Sequence, residues 1–273
     1  MKAMKLIVSD IDGTLLNSDK HITDKTKAKI LEMIASGHLF AIATGRMHAA
    51  GRTISKEIDY DGFLISCNGA VVKHLKTGEL IQAIEVPPAV VSKVIDICEA
   101  HGAVYFLYTI ETIYASAYKH LAKKYYDEMP KLPEALRFEV VFPENVSALA
   151  GKVPVYKVAM AHENRDLFYK TIDAIRTIEG IEAVKSLDSL FDVMAKGVTK
   201  ATGIEAIRAH YDLPLEDVIA FGDNENDIDM IRYAGVGVAM SNATDELKAV
   251  ANFITLSNDE DGIVHALERL DID

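Results

Sequence analysis

Short apolar runs alternate with stretches of helical spacing in the first third of the chain. The runs cover residues 6–8, 39–43 and 63–65, and they stop near Asp12, Thr44 and Asn68. Between the first two runs, residues 23–35 approximate one apolar helical face, with Thr23 or Asp24 as the N-cap. Buried strands that alternate with helices in this way predict a parallel sheet.

The pattern changes at Pro87-Pro88. A helical pattern over 89–101 is followed by two β-rich runs, at 104–108 and 112–116, which favour an antiparallel hairpin. The alternation of strand and helix signals returns from residue 199 onward. We therefore predict an α/β fold in which a doubly wound parallel-sheet (Rossmann-like) core, residues 1–83 and 189–273, is interrupted by an inserted α+β domain over 84–188.

Composition and charge indicate a folded protein with no general affinity for polyanions. The 273 residues are 49% hydrophobic and carry a formal net charge of −12, which excludes a disordered chain and argues against nucleic acid or an anionic membrane as partner. No window approaches the roughly 20 apolar residues of a membrane span, and the N-terminus does not resemble a signal peptide. The two cysteines, Cys67 and Cys98, offer no disulfide framework, so we expect a reducing, cytoplasmic setting.

Polar side chains collect where the predicted strands of the core end. They are Asp10, Asp12, Thr44, Asn68, Asp223, Asn226 and Asp227. Because ligands of open parallel sheets bind beyond the carboxyl ends of the strands, we expect these residues to share one edge. Each type is also an ordinary turn residue, but several carboxylates held close together raise one another's pKa or require a cation. Mg²⁺ is the expected cation, because it accepts a few carboxylates and fills its shell with water and phosphate.

The pair Asp10 and Asp12 suggests phosphoryl chemistry. Residues two apart in an extended chain lie on the same side, so we expect both carboxylates to address one point. An aspartate can act as a covalent nucleophile toward phosphorus, and a divalent cation screens its repulsion from an anionic substrate. Thr44 and Lys200 offer a hydroxyl donor and a positive charge for phosphoryl oxygens.

Five short motifs in order along the chain resemble those of the haloacid dehalogenase-like hydrolase superfamily. They are DIDGT at 10–14, TGR at 44–46, NGA at 68–70, KGVTK at 196–200 and GDNEND at 222–227. The later GVAMSNA at 237–243 and the NDEDG at 258–262 are similar to the Cof-type branch of sugar-phosphate and related phosphatases. The inserted domain then matches the position of the large cap domain that selects the substrate in that family.

The resemblance implies a role for each matching residue. Asp10 would be the nucleophile, and Asp12 would be the general acid and then base, with its carbonyl oxygen on Mg²⁺. Asp223 would complete a metal site made with Asp10 and Asp12. The expected phosphate-binding residues are Ile11, Thr44, Gly45, Lys200 and Asn226, and the expected supporting or substrate-edge residues are Asp227, Arg46 and Asn68.

The sequence and the resemblance together predict a Mg²⁺-dependent phosphatase. Its expected partner is a small phosphorylated metabolite such as a sugar phosphate, and the oligomeric state is undetermined. A phosphomutase or phosphotransferase that hands the phosphoryl group to a sugar is an alternative, because Asp12 suits both reactions. A catalytically silent ligand-binding protein on the same fold is a third alternative.

Overall fold

A computed structural model describes residues 4–272 of the chain. The strands are β1 (Leu6–Ser9), β2 (Leu39–Ala43), β3 (Phe63–Ser66), β4 (Val71–His74), β5 (Leu80–Ala83), β6 (Val104–Tyr108), β7 (Thr112–Ala115), β8 (Glu139–Val141), β9 (Lys157–Ala161), β10 (Ile181–Leu187), β11 (Leu190–Ala195), β12 (Val218–Gly222), β13 (Val236–Ala239) and β14 (Phe253–Ile254). The helices are α1 (Asp24–Ala35), α2 (His48–Arg52), α3 (Pro88–His101), α4 (His120–Glu128), α5 (Arg165–Arg176), α6 (Lys200–His210), α7 (Ile228–Tyr233), α8 (Asp245–Lys248) and α9 (Gly262–Arg269).

The chain forms two compact units. The first contains residues up to Thr44, the segment Ile54–Gln82 and the part from Thr199 onward, and the second contains Gly45–Thr53 and Ala83–Val198. The chain therefore passes between the units at four places.

The first unit is built on an eight-stranded sheet in the order β14-β13-β12-β1-β2-β3-β4-β5. Neighbouring strands from β14 to β3 run parallel, and β4 is antiparallel to β3. The central strands β1 and β12 are paired from Leu6↔Val218 to Ser9↔Phe221, so they end side by side. The predicted α/β class with a parallel-sheet core is confirmed.

Both faces of this sheet are buried, as expected for a doubly wound fold. Alternate strand residues, such as Ile7 and Phe40, pack on one side with α1 and α9. Their neighbours, such as Leu6 and Ala41, pack on the other side with α6 and α7. Because both faces are buried, these strands are continuous apolar runs in the sequence and do not alternate between apolar and polar residues.

Local chemistry sets the helix ends. The Thr23 hydroxyl accepts the Thr26 N–H at 3.1 Å and caps α1. Helix α3 begins at Pro88. A proline has no N–H, but the first N–H groups of a helix have no acceptor within the helix, so no hydrogen bond is lost there. The helix ends before Gly102, which has a left-handed backbone with φ 68°.

The second unit is built on a six-stranded sheet in the order β10-β11-β9-β6-β7-β8. Most neighbouring strands of this second sheet are antiparallel, including the predicted β6–β7 hairpin. Among the described strands of this sheet, only β7 and β8 pair in parallel. One face packs against α3 and α5 through Leu107, Val158 and Val193. Lys157 and Asp192 lie one residue away from Val158 and Val193 along β9 and β11, and both are buried on the opposite face.

The limits of the inserted domain differ from the predicted 84–188 in two ways. Strand β11 pairs with β9 and β10, so the return to the first unit falls between Val198 and Thr199, whereas a boundary at 188/189 would split a β-hairpin. The segment 45–53 also belongs to the second unit, where the Ala49 N–H donates to the Ile110 carbonyl at 3.1 Å. Both corrections come from long-range pairing.

Across residues 4–272, none of the helices combines the length and the apolar character required to cross a bilayer.

Candidate active site

Asp10 lies at the carboxyl edge of the parallel sheet. Its N–H donates to the Phe221 carbonyl of β12 at 3.0 Å, which fixes Asp10 where β1 and β12 end. Only 7% of Asp10 is exposed. Beyond it the chain turns, because the Leu15 and Leu16 N–H groups donate to the Asp10 and Ile11 carbonyls at 3.2 and 2.9 Å.

Asp12 lies in this turn, and the expected common direction of the Asp10 and Asp12 carboxylates stays a prediction. Within the turn, Asp12 forms an isolated β-bridge with Leu16. The Asp12 side chain is 44% exposed, and its carboxylate lies 3.7 Å from the Lys20 ammonium. The metal role of the Asp12 carbonyl and the proton-transfer role of its carboxyl group stay predictions of the family resemblance.

Lys200 is the first residue of α6 and joins two of the predicted carboxylates. Its Nζ is 2.5 Å from Asp10 Oδ1 and 2.6 Å from Asp227 Oδ1, and its side chain is fully buried. Burial lowers the pKa of Lys200, but the two carboxylates outweigh burial and hold that pKa above its usual range. The ammonium therefore stays charged, and it donates to both carboxylates.

The turn after β12 supplies Asp223 and Asp227. Asp227 is fully buried, and its Oδ2 accepts the N–H groups of Asp223 and Asn224, both at 3.1 Å. Since its Oδ1 accepts from Lys200, Asp227 organises the turn and orients the lysine.

Burial raises the pKa of Asp10 well above its usual range, against the lowering effect of Lys200. Burial and the neighbouring Asp227 also raise the pKa of Asp223 to about 6. The largest cause of both pKa shifts is burial, and repulsion from the neighbouring carboxylates adds to it.

A divalent cation fits this charge distribution. Asp10, Asp223 and Asp227 each place a carboxylate oxygen within 4.8 Å of the others, and hard oxygen donors are those that Mg²⁺ prefers. Asp227 is already engaged by Lys200 and two N–H groups. Asp10 and Asp223 each have a second oxygen to offer, because Lys200 and the Thr14 hydroxyl contact their Oδ1 atoms. The group contains two of the three predicted ligands, Asp10 and Asp223, and their metal role stays a prediction.

Thr44, Asn68 and Asn226 form a second connected group in the first unit. Thr44 follows β2, is 2% exposed, and donates its N–H to the Ile65 carbonyl at 2.8 Å. Its own carbonyl accepts the Asn68 N–H at 3.0 Å. Asn226 Nδ2 donates to Asn68 Oδ1 at 3.3 Å. Asn68 therefore ties the loop after β2 to the turn after β12.

Three other predicted residues have distinct surroundings. The side chain of Ile11 is fully buried in the apolar core, so only its main chain is suited to bind an anion. Gly45 and Arg46 belong to the second unit and are partly buried. Within that unit the Gly45 carbonyl accepts a hydrogen bond from Lys157 Nζ at 2.6 Å.

Two residues of the site were missed by the sequence reasoning. Thr14 donates its hydroxyl to Asp223 Oδ1 at 2.7 Å, and its place within the DIDGT motif was an available signal. Gly69 has φ 105°, and a Cβ there would overlap the Thr199 carbonyl just before Lys200. The glycine of the NGA motif thus permits close approach of this loop to the start of α6.

Comparisons with known proteins agree with these motifs. A model of the haloacid dehalogenase-like hydrolase family matches residues 7–267. The chain is 28% identical to the 5-amino-6-(5-phospho-D-ribitylamino)uracil phosphatase YitU of Bacillus subtilis, over 97% of this chain and 96% of that protein. It is 27% identical to the phosphatase YwpJ of the same organism, over 98% and 100% of the two chains.

Solved structures show the same fold. A haloacid dehalogenase-like hydrolase from Bacteroides thetaiotaomicron superposes with a TM-score of 0.84 at 26% identity, covering 98% of this chain and 100% of that one. The subclass IIB sugar phosphatase BT4131 gives a TM-score of 0.82 at 28% identity, covering 99% and 100%. With the site geometry above, these likenesses show that the chain belongs to the haloacid dehalogenase-like hydrolase family, as an enzyme of the Cof-type phosphatase branch.

Proposed function

We propose that the enzyme hydrolyses small organic phosphate monoesters, such as sugar phosphates, with Mg²⁺ and through a phosphoaspartyl intermediate on Asp10. The observation that carries the proposal is the buried Asp10 carboxylate, held 2.5 Å from Lys200 Nζ beside Asp223. Relatives that act on a ribitylamino-uracil phosphate and on sugar phosphates support a small phosphorylated metabolite as substrate.

In the first step Asp10 attacks phosphorus and the bond from phosphorus to the ester oxygen breaks. The leaving alkoxide takes the proton of the Asp12 carboxyl group and departs as an alcohol. Lys200, Thr44 and Asn226 bind the phosphoryl oxygens, together with main-chain groups of Ile11 and Gly45.

In the second step the Asp12 carboxylate removes a proton from water, and the resulting hydroxide attacks phosphorus. The bond to Asp10 breaks, which regenerates its carboxylate and releases inorganic phosphate. Asp10, Asp223 and the Asp12 carbonyl would hold Mg²⁺, which when bound supplies positive charge that screens the anionic nucleophile from the anionic substrate.

We also assign substrate selection to the second unit, as the family's cap. Its support is the place of Ala83–Val198 as an insertion between two parts of the parallel-sheet unit. Arg46 belongs to the same unit and is assigned to the organic part of the substrate.

The test is phosphate release from a panel of small phosphomonoesters, with and without Mg²⁺, by wild type and by Asp10→Asn. We expect release that requires Mg²⁺ and falls at least about a thousandfold in Asp10→Asn, because an amide is a poor nucleophile toward phosphorus. Asp19→Asn makes the same chemical change on an exposed residue of the first unit and is expected to keep full activity.

Normal turnover by Asp10→Asn would exclude the covalent mechanism, and release that is independent of Mg²⁺ would exclude the metal requirement. Product analysis with an added acceptor sugar separates hydrolysis from transfer. A phosphorylated sugar formed in place of inorganic phosphate would identify the enzyme as a phosphotransferase or phosphomutase.

A further inference from the structure

A buried ion pair lies in the second unit, apart from the carboxylate cluster of the first. Lys157 Nζ is 2.9 Å from Asp192 Oδ2, and the side chains are 3% and 0% exposed. Removing two such charges from water is costly, and an apolar pair of similar volume often stabilises a protein equally well or better. Stability alone is therefore a weak reason for a lysine at this place.

Three described contacts of the Lys157 ammonium lie in the second unit. Besides Asp192, it donates to the Gly45 carbonyl at 2.6 Å. It also lies 4.5 Å from the centre of the Tyr108 ring, at a distance typical of a cation–π contact. Tyr108 is directly opposite Lys157 in the β6–β9 pairing. Asp192 and Tyr108 thus fix the ammonium in one position, and Gly45 receives its hydrogen bond.

Gly45 is the first residue of the segment Gly45–Thr53, which belongs to the second unit and directly follows Thr44 of the first. Two other contacts attach the far part of this segment, since the Ala49 N–H donates to the Ile110 carbonyl at 3.1 Å and Arg52 lies 3.3 Å from Glu111. At the near end, Lys157 donates to the carbonyl between Gly45 and Arg46. A charge-assisted hydrogen bond is stronger and more directional than a neutral one.

We infer that Lys157 is a positioning residue for substrate binding, which fixes the Gly45–Arg46 peptide by way of a buried ammonium oriented by Asp192 and Tyr108. The inference rests on the proposed function, in which Gly45 and Arg46 bind the phosphate ester. Lys157, on strand β9 of the second unit, would thus support substrate binding indirectly, through its hydrogen bond to the main chain at Gly45.

The test compares wild type with the double variant Lys157→Met/Asp192→Asn. Both charges are removed together because Lys157→Met alone would leave a buried carboxylate without its cation and could fail to fold. Lys123→Met is the matched control, since it removes an exposed lysine of the same unit that pairs with Asp127 at 2.6 Å.

Hydrogen exchange measured by mass spectrometry tests the positioning step without reference to activity. In the double variant we expect amide exchange in residues 45–53 to become at least about tenfold faster, because local opening sets the exchange rate. Exchange in this segment is expected to stay unchanged in Lys123→Met. Equal exchange rates in wild type and the double variant would overturn the inference.

Steady-state kinetics with the best substrate of the panel tests the consequence. We expect KM to rise about tenfold in the double variant, as for loss of a ground-state binding contact. A merely structural role would lower kcat through the inactive fraction and leave KM unaltered, and that result would also overturn the inference. If wild type releases no phosphate from any ester, the proposed function fails, and the exchange experiment alone decides whether Lys157 fixes the loop.

Discussion

Lys200 joins two distant parts of the chain at the proposed active site. Its Nζ neutralises part of the charge of Asp10 and Asp227, two carboxylates that come from loops more than 200 residues apart in the chain. The placement of Lys200 depends in turn on the start of α6, where the Thr199 carbonyl approaches Gly69 too closely to admit a side chain. The geometry of the site is therefore sensitive to a single methyl group.

Gly69→Ala tests this sensitivity. We expect it to destabilise the protein by at least about 3 kcal/mol, because the new Cβ adds overlap with backbone to an unfavourable positive φ. It is also expected to lower kcat, since Thr199 precedes Lys200. Gly37→Ala is the control, because Gly37 has φ 93° but nothing within 4 Å of its Cβ position.

For Gly37→Ala we expect a cost of about 1–2 kcal/mol from the left-handed backbone and no change in kcat. Denaturant unfolding and phosphate release measure both effects. Equal losses of stability in the two variants would show that the close approach at Thr199 is unimportant.

Most of the site residues were predictable, because each follows a buried strand and falls within a motif. Their partners were less accessible to sequence reasoning. Thr14 meets Asp223 across 209 residues and Lys157 meets Gly45 across 112, and such pairings are fixed by tertiary packing that no local pattern encodes.

At the scale of elements, length decides what the sequence reveals. Strands such as β2 and β6, with five residues each, give clear apolar runs and were predicted. Strands β8 and β14 have three and two residues and were missed, because so few positions show no period. The two units were separable by pattern, but their limits depend on β11 and on residues 45–53, whose pairing is long-range.

Helix α5 offers a test of local capping in the second unit. Asn164 Oδ1 accepts the Leu167 N–H at 3.0 Å, so Asn164→Ala leaves that N–H without its cap. We expect a loss of about 1 kcal/mol of stability, visible as a fall of about 2–4 °C in Tm, with kcat unchanged. Lys170→Ala, at an exposed position of the same helix, should leave Tm near that of wild type. A similar fall in both variants would mean that the cap contributes nothing.

At the scale of the whole molecule, the acidic cluster links stability to pH and to cations. The pKa of Asp223 is raised from 3.8 to about 6, so the folded protein binds this proton more tightly than the unfolded chain. In the absence of a cation, the contribution of Asp223 to stability is therefore greatest at low pH and is lost as the pH rises through about 6.

A bound divalent cation competes with that proton. We expect Mg²⁺ to raise Tm clearly at about pH 7.5 and much less at about pH 5, where Asp223 is protonated. Thermal unfolding with Mg²⁺ or with a chelator measures the difference, and Asp223→Asn should abolish most of it. An equal Mg²⁺ effect at both pH values would mean that Asp223 is not a ligand.

The chain passes between the two units four times, and this limits how the second unit can be exchanged between related enzymes. A chimera that exchanges only Ala83–Val198 with a relative would keep the host's Gly45–Thr53 against a foreign sheet. The host loop would then meet whatever residue replaces Lys157. Grafting a new specificity onto this scaffold therefore requires two pieces of donor chain, and the shorter piece begins one peptide bond after Thr44.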